Sequence, residues 1–391
     1  MPAVTMKASE HLGVPEAELV ASGAVWTARE IEQQPRTLQR THELVSALHD
    51  RIQAFVAPIA GDARARVLLT GAGTSAYIGL CLAPLLDRRL AARIDAVPTT
   101  DIVSAPQLYL EPGQPLLLVS FGRSGNSPES LAAVELAESM VRDVRHLVVT
   151  CNAEGALCRI PVGSAMTLLL PEETHDASFA MTSSFSCMMY ATLVALMPRG
   201  AMDTRIGAIA RATERVIHEA LPAVQELALH GYDRVAYLGS GLLQGLAREA
   251  ALKLGELTNG AVATCFDSPL GFRHGPKTFV TDRTLVVVFV SNDPLTRRYD
   301  HDLLDELRRD RCAARIVEVT AQPRQETARD AIAVPDMAEA DDVDLLWPYV
   351  AVAQTYAFHA SRAMGLSPDN PNSQGTVNRV VQGVRLYPPT P

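Results

Sequence analysis

Lysine is nearly absent from this sequence. The chain of 391 residues has three lysines, Lys7, Lys253 and Lys277, and arginine supplies the remaining fixed positive charge. The net charge is −9, and no basic cluster is present that could follow a nucleic-acid backbone, so we expect no nucleic-acid partner. Local donors must therefore hold any anionic ligand, because the overall field does not attract it. A lysine inside a motif becomes a candidate for chemistry.

The sequence also lacks a long apolar run and a cysteine pair. No apolar run approaches the roughly 20 residues that span a bilayer, so no membrane segment is expected. The N-terminus has no apolar signal core after Lys7, which argues against export and predicts a cytoplasmic protein. The six cysteines form no Cys-x-x-Cys pair and have no flanking histidines. This favours reduced thiols over disulfides or a metal site.

Apolar strands and helices alternate from Arg66 onward, and the alternation returns about 170 residues later, which indicates a duplication. Such an alternation predicts parallel sheets covered on both faces. The fold class is therefore α/β, with two doubly wound parallel-sheet domains in tandem and peripheral N-terminal helices. The predicted strands are 67–70, 94–97, 116–120, 146–150, 234–238 and 284–290, and the predicted helices are 76–86, 127–140 and 247–257. The expected segments are 1–45, 46–215 and 216–391.

The first predicted strand ends in Gly71-Ala72-Gly73-Thr74-Ser75, which opens a helix. Backbone N–H groups and the helix dipole at such a turn favour an anion, and the two hydroxyls add donors. A dinucleotide site remains an alternative, with Ala76 in place of the third glycine and Asp95 at the distance of a ribose contact. A Walker loop is excluded, because no Gly-Lys-Ser/Thr follows. The candidate binding residues are Gly73, Thr74 and Ser75.

A second loop, Gly122-Arg123-Ser124-Gly125-Asn126-Ser127, follows the strand at 116–120. In an open α/β sheet, two such loops converge on one crevice at the switch point, so we expect both loops to face one ligand. The second half has Asp293 at the corresponding place, and its carboxylate would repel a phosphate. Only the first half is therefore expected to bind phosphate. The candidate residues are Gly122, Arg123, Ser124, Asn126 and Ser127.

A third polar cluster follows a later strand. Thr182 and Ser183 precede a helix, where they either cap its first turn or contact a ligand. His175 and Asp176 are adjacent in sequence and are either an acid/base pair or unrelated neighbours, since adjacent side chains need not face each other. The sequence leaves both questions open.

The segment 248–277 contains the remaining candidates. Lys253 and Glu256 are three residues apart on a predicted helix, which places them on one face as a salt bridge or as part of a catalytic group. His274 lies in a loop rich in glycine and proline. A carboxylate and a histidine suit proton transfer between adjacent sugar carbons, because either pKa can be tuned toward neutrality.

These motifs resemble the sugar isomerase (SIS) superfamily, which includes the isomerase half of glucosamine-6-phosphate synthase. The resemblance is strongest to the galactosamine-6-phosphate deaminase/isomerase family, often labelled tagatose-6-phosphate ketose/aldose isomerase, and it runs from Pro35 through the segment Gly375–Val384. The motifs that carry it are Gly71–Ser75, Gly122–Ser127, Leu252-Lys253-Leu254-Gly255-Glu256-Leu257 and Arg273-His274-Gly275-Pro276.

The resemblance implies a role for each matching residue. Glu256 would move a proton between C1 and C2, and His274 would open the sugar ring, entering from a second subunit of a homodimer or larger assembly. Lys253 would pair with Glu256 or assist proton transfer at the substituent. For binding, the resemblance implies that Thr74 and Ser75 line the sugar-phosphate pocket, that Ser124 and Ser127 ligate phosphate with the backbone of 122–126, and that Thr182 and Ser183 contact the sugar.

The sequence departs from the synthase in two places. The synthase has Ser and Gln where Gly122 and Arg123 stand, so Arg123 is expected to contribute charge-assisted contacts instead. The synthase also uses a lysine near its C-terminus as an imine, but no lysine follows Lys277 here. A Schiff base on the tail is thus excluded, and Asn378 and Arg379 lie in that region without an assigned role.

The resemblance predicts an enzyme that converts galactosamine 6-phosphate to tagatose 6-phosphate and ammonia. The chain has no N-terminal glutaminase to supply ammonia, which favours ammonia release, and the reaction needs no metal or organic cofactor. Three alternatives stay open: a glucosamine-6-phosphate deaminase, an aldose–ketose isomerase of a neutral hexose 6-phosphate, and a non-catalytic sugar-phosphate sensor.

Overall fold

The computed structural model describes residues 9–324, 330–381 and 383–387. Lys7, and Gln382 within the segment Gly375–Val384, lie outside the described residues. Within the described ranges, no helix has both the length and the apolar character needed to cross a membrane.

The N-terminal part forms a short antiparallel ribbon and a run of helices that lie outside both main sheets. Their inner faces are buried in the main hydrophobic cluster, so they pack closely on the rest of the chain. The elements are β1 (Glu10–His11), β2 (Val14–Pro15), α1 (Glu16–Ser22), α2 (Val25–Glu32), α3 (Gln34–Ala47) and α4 (His49–Ala60).

The first half is a five-stranded parallel sheet in the order β4-β3-β5-β6-β7. The central strand β5 begins with the aliphatic run 116–119 and is buried on both faces up to Phe121, as expected for a parallel sheet between helices. The strands are β3 (Arg66–Thr70), β4 (Arg93–Ala96), β5 (Leu116–Gly122), β6 (Val144–Thr150) and β7 (Ala165–Leu169). The helices are α5 (Thr74–Leu86), α6 (Thr99–Ser104), α7 (Pro128–Met140) and α8 (Ser183–Leu196).

The second half repeats this plan after two linking helices. Its sheet has the order β12-β11-β10-β8-β9, which is the same strand order as in the first half when counted along the chain. The linking helices are α9 (Ile206–Glu219) and α10 (Leu221–His230). The remaining elements are β8 (Arg234–Gly239), α11 (Leu242–Leu257), β9 (Ala263–Asp267), α12 (Pro269–Phe272), β10 (Thr284–Phe289), α13 (Pro294–Asp310), β11 (Arg315–Thr320), β12 (Ala331–Ala333) and α14 (Asp342–Ala363).

Two glycines mark the duplication at the level of backbone conformation. Gly73 precedes α5 with φ 55° and ψ −130°, and Gly241 precedes α11 with φ 57° and ψ −122°. An L side chain rarely adopts such a φ, which explains why both turns keep glycine. The predicted duplication and the α/β fold class are confirmed.

The two halves meet where α5 crosses α11. A Cβ on Gly245 would lie 2.8 Å from the backbone of Leu80 and of Cys81, so only glycine lets the two helices approach this closely. The crossing brings the first turn of α5 in the first half against the face of α11 in the second. α14 also packs along α11 and is buried over most of its length.

The predicted strands and helices are present, with their ends shifted by a few residues. Helix α11 begins at Leu242, earlier than the expected 247. Strand β7 is the strand expected, without bounds, before the third polar cluster. Strands β1, β2, β9, β11 and β12 were not predicted; of these, β9 and β12 are short edge strands without a fully buried apolar run. Residue 45 lies inside α3 and residue 215 inside α9, and the division into segments 1–45, 46–215 and 216–391 stays a prediction.

Candidate active site

Lys253 is the centre of a buried polar cluster that joins the two halves. Its Nζ lies 2.7 Å from Glu256 Oε2 and 3.2 Å from Glu249 Oε1, both on α11. It also donates to Thr74 Oγ1 at the start of α5, at 3.0 Å. An ammonium has three N–H donors, and here each has an acceptor. The predicted pairing of Lys253 with Glu256 is therefore present, and the α5–α11 crossing adds Thr74 to it.

Burial within the cluster increases from one end to the other. The exposed fraction of the side chain is 26% for Glu256, 1% for Lys253 and 0% for Glu249. Burial alone lowers the pKa of Lys253, but the carboxylates of Glu249 and Glu256 outweigh it and raise that pKa above its ordinary value. Lys253 is therefore a charged ammonium, and Glu256 is the member of the cluster that a ligand can reach.

The loop after β5 leaves the N-terminus of α7 open to a ligand. Ser127 is the N-cap of α7, and its side chain does not cap the helix. Its Oγ donates instead to the Glu129 carboxylate at 2.7 Å, and Ser124 Oγ accepts from the backbone N–H of Asn126 at 3.3 Å. Gly125 has a φ of 64°, which lets the chain turn sharply here. Backbone donors and small hydroxyls thus surround a helix N-terminus, an arrangement suited to phosphate.

The matching loop of the second half is filled by the protein's own carboxylates. Asp293 caps α13 and accepts from the backbone N–H groups of Leu295 and Thr296 at 3.1 and 2.8 Å. Asp300 accepts from Ser240 Oγ at 2.7 Å and from the backbone N–H of Ser291 at 3.0 Å. A cavity of about 850 Å³ adjoins these loops, but the anion position at its helix terminus is already taken. The two halves therefore differ at this loop, and phosphate binding by the first half alone stays a prediction.

Arg123 holds loops of the first half together. Its guanidinium donates to the carbonyl oxygens of Ser178 and Phe179, both at 3.0 Å, and to that of Arg379 at 3.1 Å. Burial and the nearby Arg379 lower the pKa of Arg123, while the carboxylates of Asp176, Glu30 and Glu256 act in the opposite direction. Arg123 thus joins the loop after β5 to the loop before α8 and to the C-terminal tail.

Asp176 is used to cap α8. Its carboxylate accepts from the backbone N–H groups of Thr182 and Ser184 at 2.8 and 2.9 Å, and from Ser183 Oγ at 2.5 Å. It is not hydrogen-bonded to His175, whose pKa is lowered by burial and by the nearby arginines. Among the described residues, Thr182 Oγ1 is buried without a hydrogen-bond partner, so it retains hydrogen-bonding capacity for a ligand. Ser183 and Asp176 shape the helix terminus.

The N-terminal helices support this loop. Glu30 on α2 accepts from the backbone N–H of Ala177 at 2.5 Å, and the hydroxyl of Ser178 donates to the same carboxyl group. Gln33 donates to the carbonyl of Glu173 at 2.7 Å and to Ser183 Oγ at 2.9 Å. Sequence reasoning assigned no role to these residues, because nothing in a local pattern tells which distant loop a helix contacts.

His274 stands apart from the cluster. It follows α12, its side chain is exposed, and its ring makes no hydrogen bond to any residue in the described ranges. In the tail, Asn378 donates to the carbonyl of Gly375 at 3.2 Å, and Arg379 donates to the carbonyl of Asp176. The tail thus lies against the loop before α8. The structure joins Thr74 of the first half to Lys253 and, through it, to Glu256, but it does not bring His274 of the same chain to them.

Two further observations bear on earlier alternatives. Asp95, which a dinucleotide site would need, is bonded to Arg66 at 2.6 Å and to Arg93 at 3.0 Å. All six cysteines are free thiols.

Glu249 is a site residue that the sequence analysis missed, although its place four residues before Lys253 on the same helix was an available signal.

The fold and site define a class, and comparisons with known proteins agree with it. The SIS domain family profile matches residues 62–198. D-galactosamine-6-phosphate deaminase AgaS of Escherichia coli is 46% identical over 374 residues, which cover 94% of this chain and 97% of that protein. The protein of the same name from Shewanella sp. (strain ANA-3) is 44% identical over 376 residues, covering 95% and 94%.

A solved structure gives the same result. The crystal structure of tagatose-6-phosphate ketose/aldose isomerase from Escherichia coli is 44% identical, with a TM-score of 0.86, and the match covers 93% of this chain and 96% of that chain. This protein is a SIS-domain protein. Within that class, the chain belongs to the D-galactosamine-6-phosphate deaminase AgaS family, so the resemblance found in the sequence is confirmed.

Proposed function

We propose that this protein is an amino-sugar-phosphate deaminase that converts galactosamine 6-phosphate and water to tagatose 6-phosphate and ammonia. The proposal rests on two hydrogen bonds donated by Lys253, one to Glu256 and one to Thr74. They join the Glu256 carboxylate, which a ligand can reach, to the glycine-rich loop 71–75, whose backbone donors favour an anion. The relatives named D-galactosamine-6-phosphate deaminase, which match over nearly the whole chain, support the choice of substrate.

The substrate phosphate binds at the first half. Ser124, Ser127 and the backbone N–H groups at the start of α7 are its ligands, since that helix terminus has no side-chain cap. Thr74 and Ser75 are buried at the start of α5 beside this loop and bind the sugar, as does Thr182. Ser127 must turn from Glu129 to the phosphate when the substrate binds.

Proton transfer begins on the open-chain sugar. The Glu256 carboxylate takes the proton from C2 and returns it to C1, and one proton of the amino group at C2 moves to O1, which leaves an imine at C2 and an alcohol at C1. Water then adds to C2, the C–N bond breaks, and ammonia leaves with the ketose as the product. Lys253 stays protonated next to Glu256 and stabilises the negative charge that develops on the substrate.

The site is completed by a second copy of the chain. His274 is exposed and is not bonded to the cluster of its own chain, which supports its entry into a neighbouring subunit's site for ring opening. Mixing Glu256→Gln and His274→Ala subunits tests this, because a shared site regains activity in the mixed dimer. Mixtures that stay as inactive as the separate variants would contradict it.

We also propose a cytoplasmic location, which suits the free thiols and a phosphorylated substrate.

The decisive experiment incubates the purified protein with galactosamine 6-phosphate and, separately, with glucosamine 6-phosphate. Ammonia and ketose phosphate are measured together. Equal amounts of ammonia and tagatose 6-phosphate, from the first substrate alone, are expected. Ammonia from glucosamine 6-phosphate at an equal rate would overturn the sugar preference, and no ammonia from either would overturn deamination.

Aldose–ketose isomerisation of a neutral hexose 6-phosphate is the second candidate. It is favoured by the structural similarity to the protein called tagatose-6-phosphate ketose/aldose isomerase, and it needs the same carboxylate and histidine. Turnover of galactose 6-phosphate to tagatose 6-phosphate, faster than the release of ammonia from the amino sugar, would establish it. A sugar-phosphate sensor would bind both sugars and change neither.

A further inference from the structure

Glu249 is the innermost member of the Lys253 cluster, and the proposed reaction does not use it so far. It lies one helical turn before Lys253 on α11, and its side chain is completely buried. Its Oε1 is 3.2 Å from Lys253 Nζ and 3.3 Å from Thr74 Oγ1. Its Oε2 is also buried and has no hydrogen-bond partner among the described residues. Pairing with Lys253 offsets the cost of burying this carboxylate only at Oε1.

A function for the Glu249 carboxylate follows from the charges of the cluster during proton transfer. Lys253 is paired with two carboxylates while Glu256 is ionised. Once Glu256 has taken the C2 proton it is neutral, and within the protein it no longer balances the buried ammonium, which then faces only Glu249 and the negative charge that develops on the substrate. A buried charge that loses its partner is strongly destabilised. Glu249 is the remaining carboxylate in contact with Lys253, and it is shielded from the substrate.

We propose that Glu249 is a positioning residue: it fixes the Lys253 ammonium and balances its charge in the interval when Glu256 carries the C2 proton. The cluster starts with one positive charge, on Lys253, and two negative charges, on Glu249 and Glu256. After Glu256 takes one proton, the charges of Lys253 and Glu249 cancel. Glu249 itself does not touch the substrate. The proposal deepens the function proposed above and rests on its proton-transfer step.

The groups around Glu249 predict a pH dependence. Lys253 and Glu256 face it from its own helix, and the Cys81 thiol faces it from α5 and stays neutral, because burial raises its pKa. Burial raises the pKa of Glu249 to about 7, against the opposing effect of Lys253. Below that pH Glu249 is protonated and cannot balance Lys253, so kcat must fall as the pH is lowered through about 7.

The test replaces Glu249 with glutamine, which keeps the shape and removes the charge. Glu318→Gln is the matched control, because Glu318 is equally buried and is paired with Arg308 at 2.6 Å, in a different ion-pair cluster. We expect Glu249→Gln to lower kcat about 10- to 100-fold with KM within about twofold. The limb of the kcat profile near pH 7 should disappear in this variant and remain in the control.

The readout is exchange of the C2 proton with deuterium, followed by NMR, alongside ammonia release. Loss of ammonia release in the parent with C2 exchange intact would overturn the proposed function and still leave Glu249 testable. A kcat within about threefold of the parent, or a retained limb near pH 7, would overturn the role of Glu249. The same loss in Glu318→Gln would overturn it as well.

A second variant covers the case in which Glu249→Gln does not fold. Glu249→Asp keeps the charge and shortens the side chain, so it should keep the pH limb, with kcat between the parent and the level expected for glutamine. A kcat for Glu249→Asp that is more than about 100-fold below the parent, in a folded protein, would contradict charge balance as the reason for this carboxylate.

Discussion

Replacement of Glu30 by glutamine should reverse the order of stability between variant and parent as the pH changes. The Glu30 carboxyl on α2 is buried and accepts the backbone N–H of Ala177 at 2.5 Å and that of Ser178 at 3.2 Å. Burial and the nearby Asp176 carboxylate raise its pKa from 4.5 to about 8. The group is therefore protonated in the folded chain at pH values where it ionises in the unfolded chain.

The size of the effect follows from proton linkage. A carboxyl with a raised pKa stabilises the fold fully below pH 4.5, and the contribution is lost as the pH rises towards 8. The loss in the free energy of unfolding over that interval amounts to about 5 kcal/mol. Glutamine accepts the same backbone bonds but does not ionise. The variant should be about 1 kcal/mol less stable than the parent near pH 4.5, and about 3 kcal/mol more stable at pH 8.

Urea unfolding across this pH range measures both effects. Trp26 on α2 and the buried Trp347 on α14 are the fluorescence probes, and together they report on the N-terminal helices and the core. Glu43→Gln is the control, because Glu43 is exposed on α3 and should give a curve parallel to that of the parent. If the curve for Glu30→Gln also runs parallel to the parent, burial of a protonated Glu30 is not the source of the pH dependence.

Three further predictions concern the site. Gly245→Ala should lower the free energy of unfolding by about 1–3 kcal/mol, because the added Cβ forces α5 away from α11. Gly255→Ala should raise it by about 0.5 kcal/mol, because its Cβ would meet only Thr264 Oγ1, at 3.9 Å. Thermal melting compares the two variants. Ser127→Asp should raise KM for the sugar phosphate at least about tenfold, because it places a carboxylate at the α7 terminus. Asp293→Ser should leave KM unchanged. Equal KM values for both variants would contradict the assignment of phosphate to the first half. Lys253→Met should lower kcat about 100-fold or more, and unchanged turnover would remove the ammonium from the mechanism.

Short-range patterns were enough to predict most of the scaffold. The apolar runs at β3, β5, β8 and β10 specify buried parallel strands, and the glycine turns after β3, β5 and β8 open helices. The divergence between Ser127 and Asp293 could also be interpreted from the sequence, because a capping carboxylate and an anion ligand compete for the same backbone donors. The pairing of Lys253 with Glu256 follows from helical spacing alone.

Contacts between segments far apart in the chain could not be predicted. Thr74 meets Lys253 from another half of the molecule, and Glu30 meets the loop at Ser178. Asp176 was a candidate acid or base in the sequence and is the cap of α8 in the structure, because its carboxylate turns toward the helix and away from His175. No local pattern encodes these orientations.

The sequence by itself determined the class of fold, the duplication and the family, because strand and helix periodicities and glycine turns are properties of neighbouring residues. The tertiary structure decided which candidate groups form one site. Packing of α5 on α11 at Gly245 sets the distance from Thr74 to Lys253, and burial of Glu249 beside them sets its charge state. Both depend on surroundings assembled from distant segments, which only the folded chain brings together.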